Sequence, residues 1–334
     1  MPEGPLVLVT GATGFIGRHL CPGLLAKGYR VRAAHRGPRP EGAGIEWIQV
    51  GEIGPDTDWT AALAGATHVV HLASLAHQVG VEGEAIRRRF QAVNVDGTRR
   101  LLEAVVQAGI PGRTVFVSSI GAVSGMTEVP VSEDTPCHPD SDYGRSKLEA
   151  EGLIREILGP AGRSWTILRP TLVYGPGNPG NMARLQRLVR LGLPLPLKGL
   201  RNRRSFVYVG NLVDGLLHCL EHPGAEGRAI LLHDGRAVST PELLRLVGQA
   251  SGRPVRLFAC PYPLLKGLAR LGDLVHRLAG RSVGLDTYSL ERLAGSLAVE
   301  ASAAYARLQW NPPFTVEEGL RSTFEAESMG RRMP

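Results

Sequence analysis

The stretch Thr10-Gly11-Ala12-Thr13-Gly14-Phe15-Ile16-Gly17 constrains this chain more than any other. It comes after an apolar run, Leu6–Thr10, and leads directly into a helix-like segment. Three glycines at this spacing have separate uses. Gly11 lets a strand turn sharply, Gly14 lets backbone approach a pyrophosphate, and Gly17 lets a helix lie close to the sheet. The first turn of that helix then aims free N–H groups and the positive end of its dipole at phosphate oxygens. The spacing is GxxGxxG rather than the commoner GxGxxG, and a tight strand–helix turn without a ligand is the alternative the residues leave open.

The first half of the chain repeats this strand–helix theme. Short runs at Leu6–Thr10, Arg30–His35, Glu46–Val50, His68–Ala73, Thr114–Ser119 and Trp165–Arg169 read as strands, with helices at Ile86–Ala108 and Tyr143–Leu158. The strands barely alternate in polarity, as expected of parallel strands covered on both faces. The fold class is therefore α/β, a doubly wound parallel sheet of the Rossmann type with a smaller, mainly helical C-terminal lobe. Prolines 176, 179, 194 and 196 mark the change of texture. The dinucleotide-binding domain is expected over 1–174 plus about 205–234, with Ser205–Glu221 returning to the main sheet. The substrate lobe is expected over 175–204 plus about 235–330.

Composition excludes several classes. The four cysteines, Cys21, Cys137, Cys219 and Cys260, lack CxxC spacing, so neither a disulfide framework nor structural zinc is expected, and no histidine spacing suggests a catalytic metal. The N-terminus does not read as a signal peptide, and no apolar run reaches the roughly 18 residues of a spanning helix, so a cytoplasmic protein is expected. The net charge is +7, but the arginines are scattered without stacking aromatics, which argues against nucleic acid. The sequence is compatible with a homodimer.

At the end of the second strand, where NAD binders place a ribose-binding acid, Arg30–Arg36 contains none and the next acid is Glu41. Arg36 suits a 2′-phosphate, so NADP is the expected cofactor and NAD the alternative. A solvated surface arginine is the plain reading of the same residue.

Tyr143-Gly144-Arg145-Ser146-Lys147 sets a phenol and an ammonium one helical turn apart. A phenol needs its pKa lowered by about three units to work near neutrality, roughly 4 kcal/mol, and neighbouring cations can supply much of that. A serine at the carboxyl end of the strand Thr114–Ser119 would face the same crevice. Ser119 is the first choice and Ser118 the second.

These residues, with Val70-His71-Leu72-Ala73, Asn94-Val95-Asp96-Gly97-Thr98, Arg169-Pro170 and Val173-Tyr174-Gly175-Pro176-Gly177, resemble the extended short-chain dehydrogenase/reductases over nearly the whole chain. The resemblance implies a catalytic triad of Ser119, Tyr143 and Lys147. The cofactor set it implies is Gly11, Thr13, Gly14, Phe15, Ile16, Gly17, Arg36, Glu52, Ile53, Leu72, Ala73, Asn94, Ser118 and Pro170, beside Tyr143 and Lys147. Glu52 stands where the family usually has an Asp near the adenine. Two departures are Ser124, where a Tyr is usual, and Gly210, where an Asp is usual.

The later half is most similar to members acting on UDP-N-acetylhexoses. Ser119, Asn181, Arg204 and Arg292 are the implied substrate contacts, and arginines suit a diphosphate. The expected reaction is 4-keto reduction of a UDP-(N-acetyl)hexose with Tyr143 as acid–base group, with 4-epimerisation on retained NAD as the alternative. Ile120-Gly121-Ala122 lack the acid and base that a sugar 4,6-dehydratase needs. A ketone of steroid or flavonoid type fits the arginines less well, and a silent dinucleotide-binding regulator would be expected to lack Tyr143 or Lys147. The amphipathic segment Pro261–Arg281, with Leu264, Leu268, Leu271, Val275 and Leu278 on one face, is expected to pack within the substrate lobe rather than on an anionic membrane.

Overall fold

The protein is described by a computed structural model covering residues 4–38, 40, 42–76, 83–178, 181–279 and 286–330. The strands are β1 (Leu6–Thr10), β2 (Arg30–His35), β3 (Ile45–Gln49), β4 (His68–His71), β5 (Thr114–Val117), β6 (Trp165–Pro170), β7 (Leu172–Tyr174), β8 (Arg204–Tyr208), β9 (Arg228–Leu232) and β10 (Ala237–Val238). Seven of them form one parallel sheet in the order β3-β2-β1-β4-β5-β6-β9. The order reverses between β1 and β4, which opens a crevice at their carboxyl ends. Every residue of β1 and of β5 is buried, the expected state of strands sandwiched between helices. Removing Val7, Leu8 and Val9 from water favours the fold by about 1.5–3 kcal/mol for each side chain.

The helices are α1 (Phe15–Ala26), α2 (Thr60–Leu63), α3 (Glu84–Phe90), α4 (Gly97–Ala108), α5 (Asp142–Leu153), α6 (Asn181–Arg190), α7 (Val209–Glu221), α8 (Thr240–Ala250), α9 (Tyr262–Ala279), α10 (Thr287–Ala294), α11 (Ser302–Leu308) and α12 (Val316–Gly330). The expected long helices are present but not uniform. A wider π turn, Gln91–Asp96, joins α3 to α4, and another, Ile154–Leu158, ends α5. Such turns rotate the side chains beyond them and recur at functional sites.

Two expectations need correction. The strand of Ser205–Glu221 does not return to the main sheet. β8 pairs with β7 and β10 in a separate three-stranded sheet, while β9 takes the place beside β6. Only the helix of that unit, α7, covers the main sheet, through Leu212, Leu216 and Leu220. Segment Pro261–Arg281 is likewise only half inside. Its buried stripe is Leu265, Ala269 and Gly272, whereas Leu264, Leu268, Leu271 and Val275 are exposed. Small residues at 269 and 272 let α9 approach Leu290 of α10, so the bulkier stripe is turned outward. Residues 280–285 lie outside the described residues, and so does the Leu278 side chain.

Candidate active site

At the end of β1 the chain turns at Gly11, whose φ is +69°. A Cβ there would meet the backbone nitrogen of Ala73 at 2.7 Å, so glycine is required on steric and conformational grounds alike. A Cβ on Gly17 would lie 2.5 Å from Ala12, which fixes how closely α1 approaches the loop. Gly14 caps α1 without a side-chain hydrogen bond, leaving the first-turn N–H groups for an anion. Thr13 is exposed at the rim, with its carbonyl accepting from Arg18 Nε at 2.8 Å. Phe15 and Ile16 pack their sides against the main core. The cradle thus fits a dinucleotide pyrophosphate.

The loop after β4 forms the next wall. Leu72 N donates to Thr10 O at 3.2 Å and Ala73 N to Thr10 Oγ1 at 3.2 Å. Asn94, buried in the first π turn, ties this wall to α5. Its Oδ1 accepts from Leu75 N at 2.7 Å and from Ser74 Oγ at 3.2 Å, while Nδ2 donates to Ser146 Oγ at 3.0 Å. His71 bridges Thr10 and Thr98 at 2.6 and 3.0 Å, and burial pushes its pKa down to about 3, so it is a neutral strut.

The two serines ending β5 have different fates. Ser118 turns inward, and its hydroxyl donates to Glu151 Oε1 at 2.7 Å. Ser119 begins a 3-10 turn, Ile120–Ala122, with its Oγ accepting from Gly121 N at 3.1 Å. The Tyr143 hydroxyl faces Ser119 and Ser74, whose hydroxyls act to lower its pKa, but burial outweighs them and pushes it up to about 12, the reverse of the lowering expected from the sequence. Between Ser118 and Ser119, the geometry favours Ser119. Gly144 makes the approach possible: a Cβ there would stand 2.2 Å from the Gly121 carbonyl oxygen. Ser141 caps α5 by accepting from Gly144 N at 3.1 Å, which sets Tyr143 in the first turn.

Lys147, one turn on, is only 2% exposed. Its ammonium donates to Val117 O at 2.9 Å and stands 4.7 Å from the centre of the Phe116 ring. Burial lowers its pKa to about 7, with the Glu151 carboxylate opposing. Glu151 itself is buried beneath the site, accepting from Arg169 Nε at 2.9 Å and Nη2 at 2.6 Å. Sequence reasoning assigned no role to Ser74, Glu151 or Arg169. Glu151 stands four residues beyond Lys147 on the same helix face, a signal that could have singled it out.

The remaining expected residues fall in three places. Beyond β2, Arg36 is 79% exposed, with Glu52 Oε1 4.0 Å from its Nη1. Ile53 packs beside Gly97, and Pro170 is buried at the end of β6. In the small lobe Arg204 Nη1 donates to the Arg292 carbonyl, and the Arg292 guanidinium lies over the Tyr288 ring. Burial first, then the Arg292 charge, lower the Arg204 pKa. The two guanidiniums repel each other, and such a pair suits an anion. Asn181 opens α6, and its side chain lies outside the described residues. Ser124 bonds the Met126 carbonyl at 3.1 Å, and a Cβ on Gly210 would meet the Tyr208 ring at 2.5 Å, so no side chain fits there in this arrangement. Among the described residues no cluster of three or more His, Cys, Asp or Glu could hold a metal.

A phosphate cradle at the crevice of a doubly wound sheet, facing a Ser–Tyr–Lys cluster, is the arrangement of a nicotinamide-dependent enzyme. The family profile of the NAD dependent epimerase/dehydratase family matches residues 7–232, and the chain belongs to that family. It is 35% identical to a UDP-glucose 4-epimerase from Vibrio cholerae over 98% of this chain and 96% of the relative. It is 28% identical to the N-acetyl-α-D-glucosaminyl-diphospho-ditrans,octacis-undecaprenol 4-epimerase of Escherichia coli O157:H7, over 96% of this chain and 95% of the relative. The solved structure of MoeE5 in complex with UDP-glucose and NAD superposes with a TM-score of 0.74 at 28% identity, covering 97% of this chain and 99% of that one.

Proposed function

We propose that this enzyme interconverts the C4 epimers of a UDP-hexose on a retained NAD. The full-length similarity to a UDP-glucose 4-epimerase is the observation that carries the reading. On sequence, Arg36 and the missing ribose acid put 4-keto reduction with NADPH first. The similarity reverses that order, and Glu52 beside Arg36 supports the reversal, because a carboxylate 4.0 Å from the guanidinium opposes an added 2′-phosphate.

In this reading the glycine cradle, Asn94 and Lys147 hold the cofactor, which supplies the hydride exchange at C4 of the sugar. Ser119 holds the C4 oxygen, and the Tyr143 oxygen takes the C4 hydroxyl proton and later returns it to the opposite epimer. Arg204 and Arg292 hold the diphosphate, which lets the 4-keto sugar turn while it stays anchored. No side chain of Ile120–Ala122 supplies an acid or base to expel water, so the reaction stops at epimerisation.

The test is to denature purified protein, identify the released nucleotide, and incubate native protein with UDP-glucose and no added cofactor. NAD in the supernatant and formation of the galactose epimer are expected. Nucleotide-free protein that consumes NADPH with a UDP-4-keto sugar would establish the reductase instead.

A further inference from the structure

α9 presents an apolar face to solvent along its outer side. Leu264 is 59% and Leu271 57% exposed, and Leu268, Leu274 and Val275 are exposed beside them. At 100° per residue these five lie within one arc of about 120°, next to the buried stripe of Leu265, Ala269 and Gly272. The cations on the helix lie to one side of that arc, Arg270 about 40° and Lys266 about 80° beyond its edge. Lys266 and Arg270 share one flank. The acid Asp273 is turned into the protein, where it accepts from Thr287 N at 3.2 Å and Thr287 Oγ1 at 2.5 Å. Among the described residues α9 therefore offers solvent leucines and cations, with its carboxylate already engaged.

We propose that this face docks the enzyme on an anionic lipid surface, with α9 lying in the headgroup plane. Leucines set into the acyl boundary and cations at headgroup level are the physical requirements of such a helix; the leucine arc supplies the first and Arg270, just beyond its edge, with Lys266 further round, the second. No helix among the described residues is long and apolar enough to cross a membrane, so the contact is peripheral. A second copy of the chain is the less suitable occupant. A two-fold contact would set Lys266 and Arg270 near their own images, and the α9 carboxylate that could neutralise them is engaged with Thr287. Docking of this kind depends neither on which sugar is epimerised nor on which cofactor is used. α9 packs on α10, which carries Arg292, so docking would bring the substrate lobe to the lipid surface.

The experiment is flotation of the full-length protein with vesicles of phosphatidylcholine alone and of phosphatidylcholine with phosphatidylglycerol. Co-flotation is expected with the anionic vesicles only, falling as salt is raised. The double variant Leu268→Glu, Leu271→Glu should lower the bound fraction about tenfold or more. Lys266→Ala with Arg270→Ala should lower it several-fold and flatten the salt dependence. Both variants should keep wild-type activity on a water-soluble substrate, which separates lost docking from lost folding. Failure to float with anionic vesicles would overturn the proposal. A wild-type dimer that Leu268→Glu, Leu271→Glu converts to monomer, without vesicle binding, would assign the face to a second copy.

Discussion

The crevice of the large sheet and the helices of the small lobe are built on different physical terms. In the crevice, positions are set by backbone: Gly11 against Ala73, Gly144 against Gly121, and Lys147 on the Val117 carbonyl. Functional groups are buried, and their pKa values move far, Lys147 down to about 7 and Tyr143 up to about 12. In the small lobe the Arg204 guanidinium reaches across to the Arg292 carbonyl, and the outer face of α9 is left uncovered by the rest of the chain. Chemistry belongs to the first region, where a misplacement of 1 Å is expensive. In the proposed reading, choice of substrate and of surroundings belongs to the second.

The largest expected effect lies under the crevice. Glu151→Ala leaves Arg169 charged and buried without its partner, and should cost about 3–5 kcal/mol of stability, read as a large drop in denaturant midpoint. If the variant is as stable as wild type, the crevice is not held by its buried charges, and the contrast with the lobe fails at that point.

Tyr143→Phe removes the acid–base group while leaving the cradle intact. Turnover should fall about 100-fold or more, with bound nucleotide still present after purification. Near-normal turnover would remove Tyr143 from the reaction. Arg204→Ala tests the other region and should act on binding. A rise of about tenfold in KM for the UDP-sugar, with kcat little changed, is the expected pattern for a hydrogen bond to a charged group. A fall in kcat alone would place Arg204 with the crevice residues.

His71 sharpens the comparison through pH. Its folded pKa, about 3, lies below the ordinary 6.5, so the unfolded chain binds the extra proton between those values. Stability contributed this way is fully present above about pH 6.5 and is lost as pH falls toward 3, at up to about 1.4 kcal/mol per pH unit. Urea midpoints of wild type and His71→Asn should therefore converge as the solution is acidified, and parallel curves would deny the strut its neutral state. Arg36→Ala should have the smallest effect. With NAD retained and Arg36 largely in solvent, epimerisation should be within about twofold of wild type, as for a surface change. A selective loss of NADPH binding by about 1.5–3 kcal/mol would instead restore the 2′-phosphate reading.

The large sheet and its crevice could be read from the chain alone. Unbroken apolar runs bounded by turn residues suit buried parallel strands, and the glycine spacing after β1 suits close backbone approach. Tyr143 and Lys147 were legible because one helical turn relates them, and α5 preserves that relation. Contacts remote in sequence were not legible. Ser118 and Ser119 are adjacent and chemically equal, and the choice between them rests on Glu151 beneath one and Tyr143 beside the other. β9 rather than β8 takes the β6 edge, and β8 pairs with β7 and β10, a long-range choice that no local pattern records. The apolar period of α9 was plain, but period alone does not say which stripe finds a neighbour. Packing against α10 chose the stripe with Ala269 and Gly272, since close helix approach favours small side chains, and so left the leucines outside.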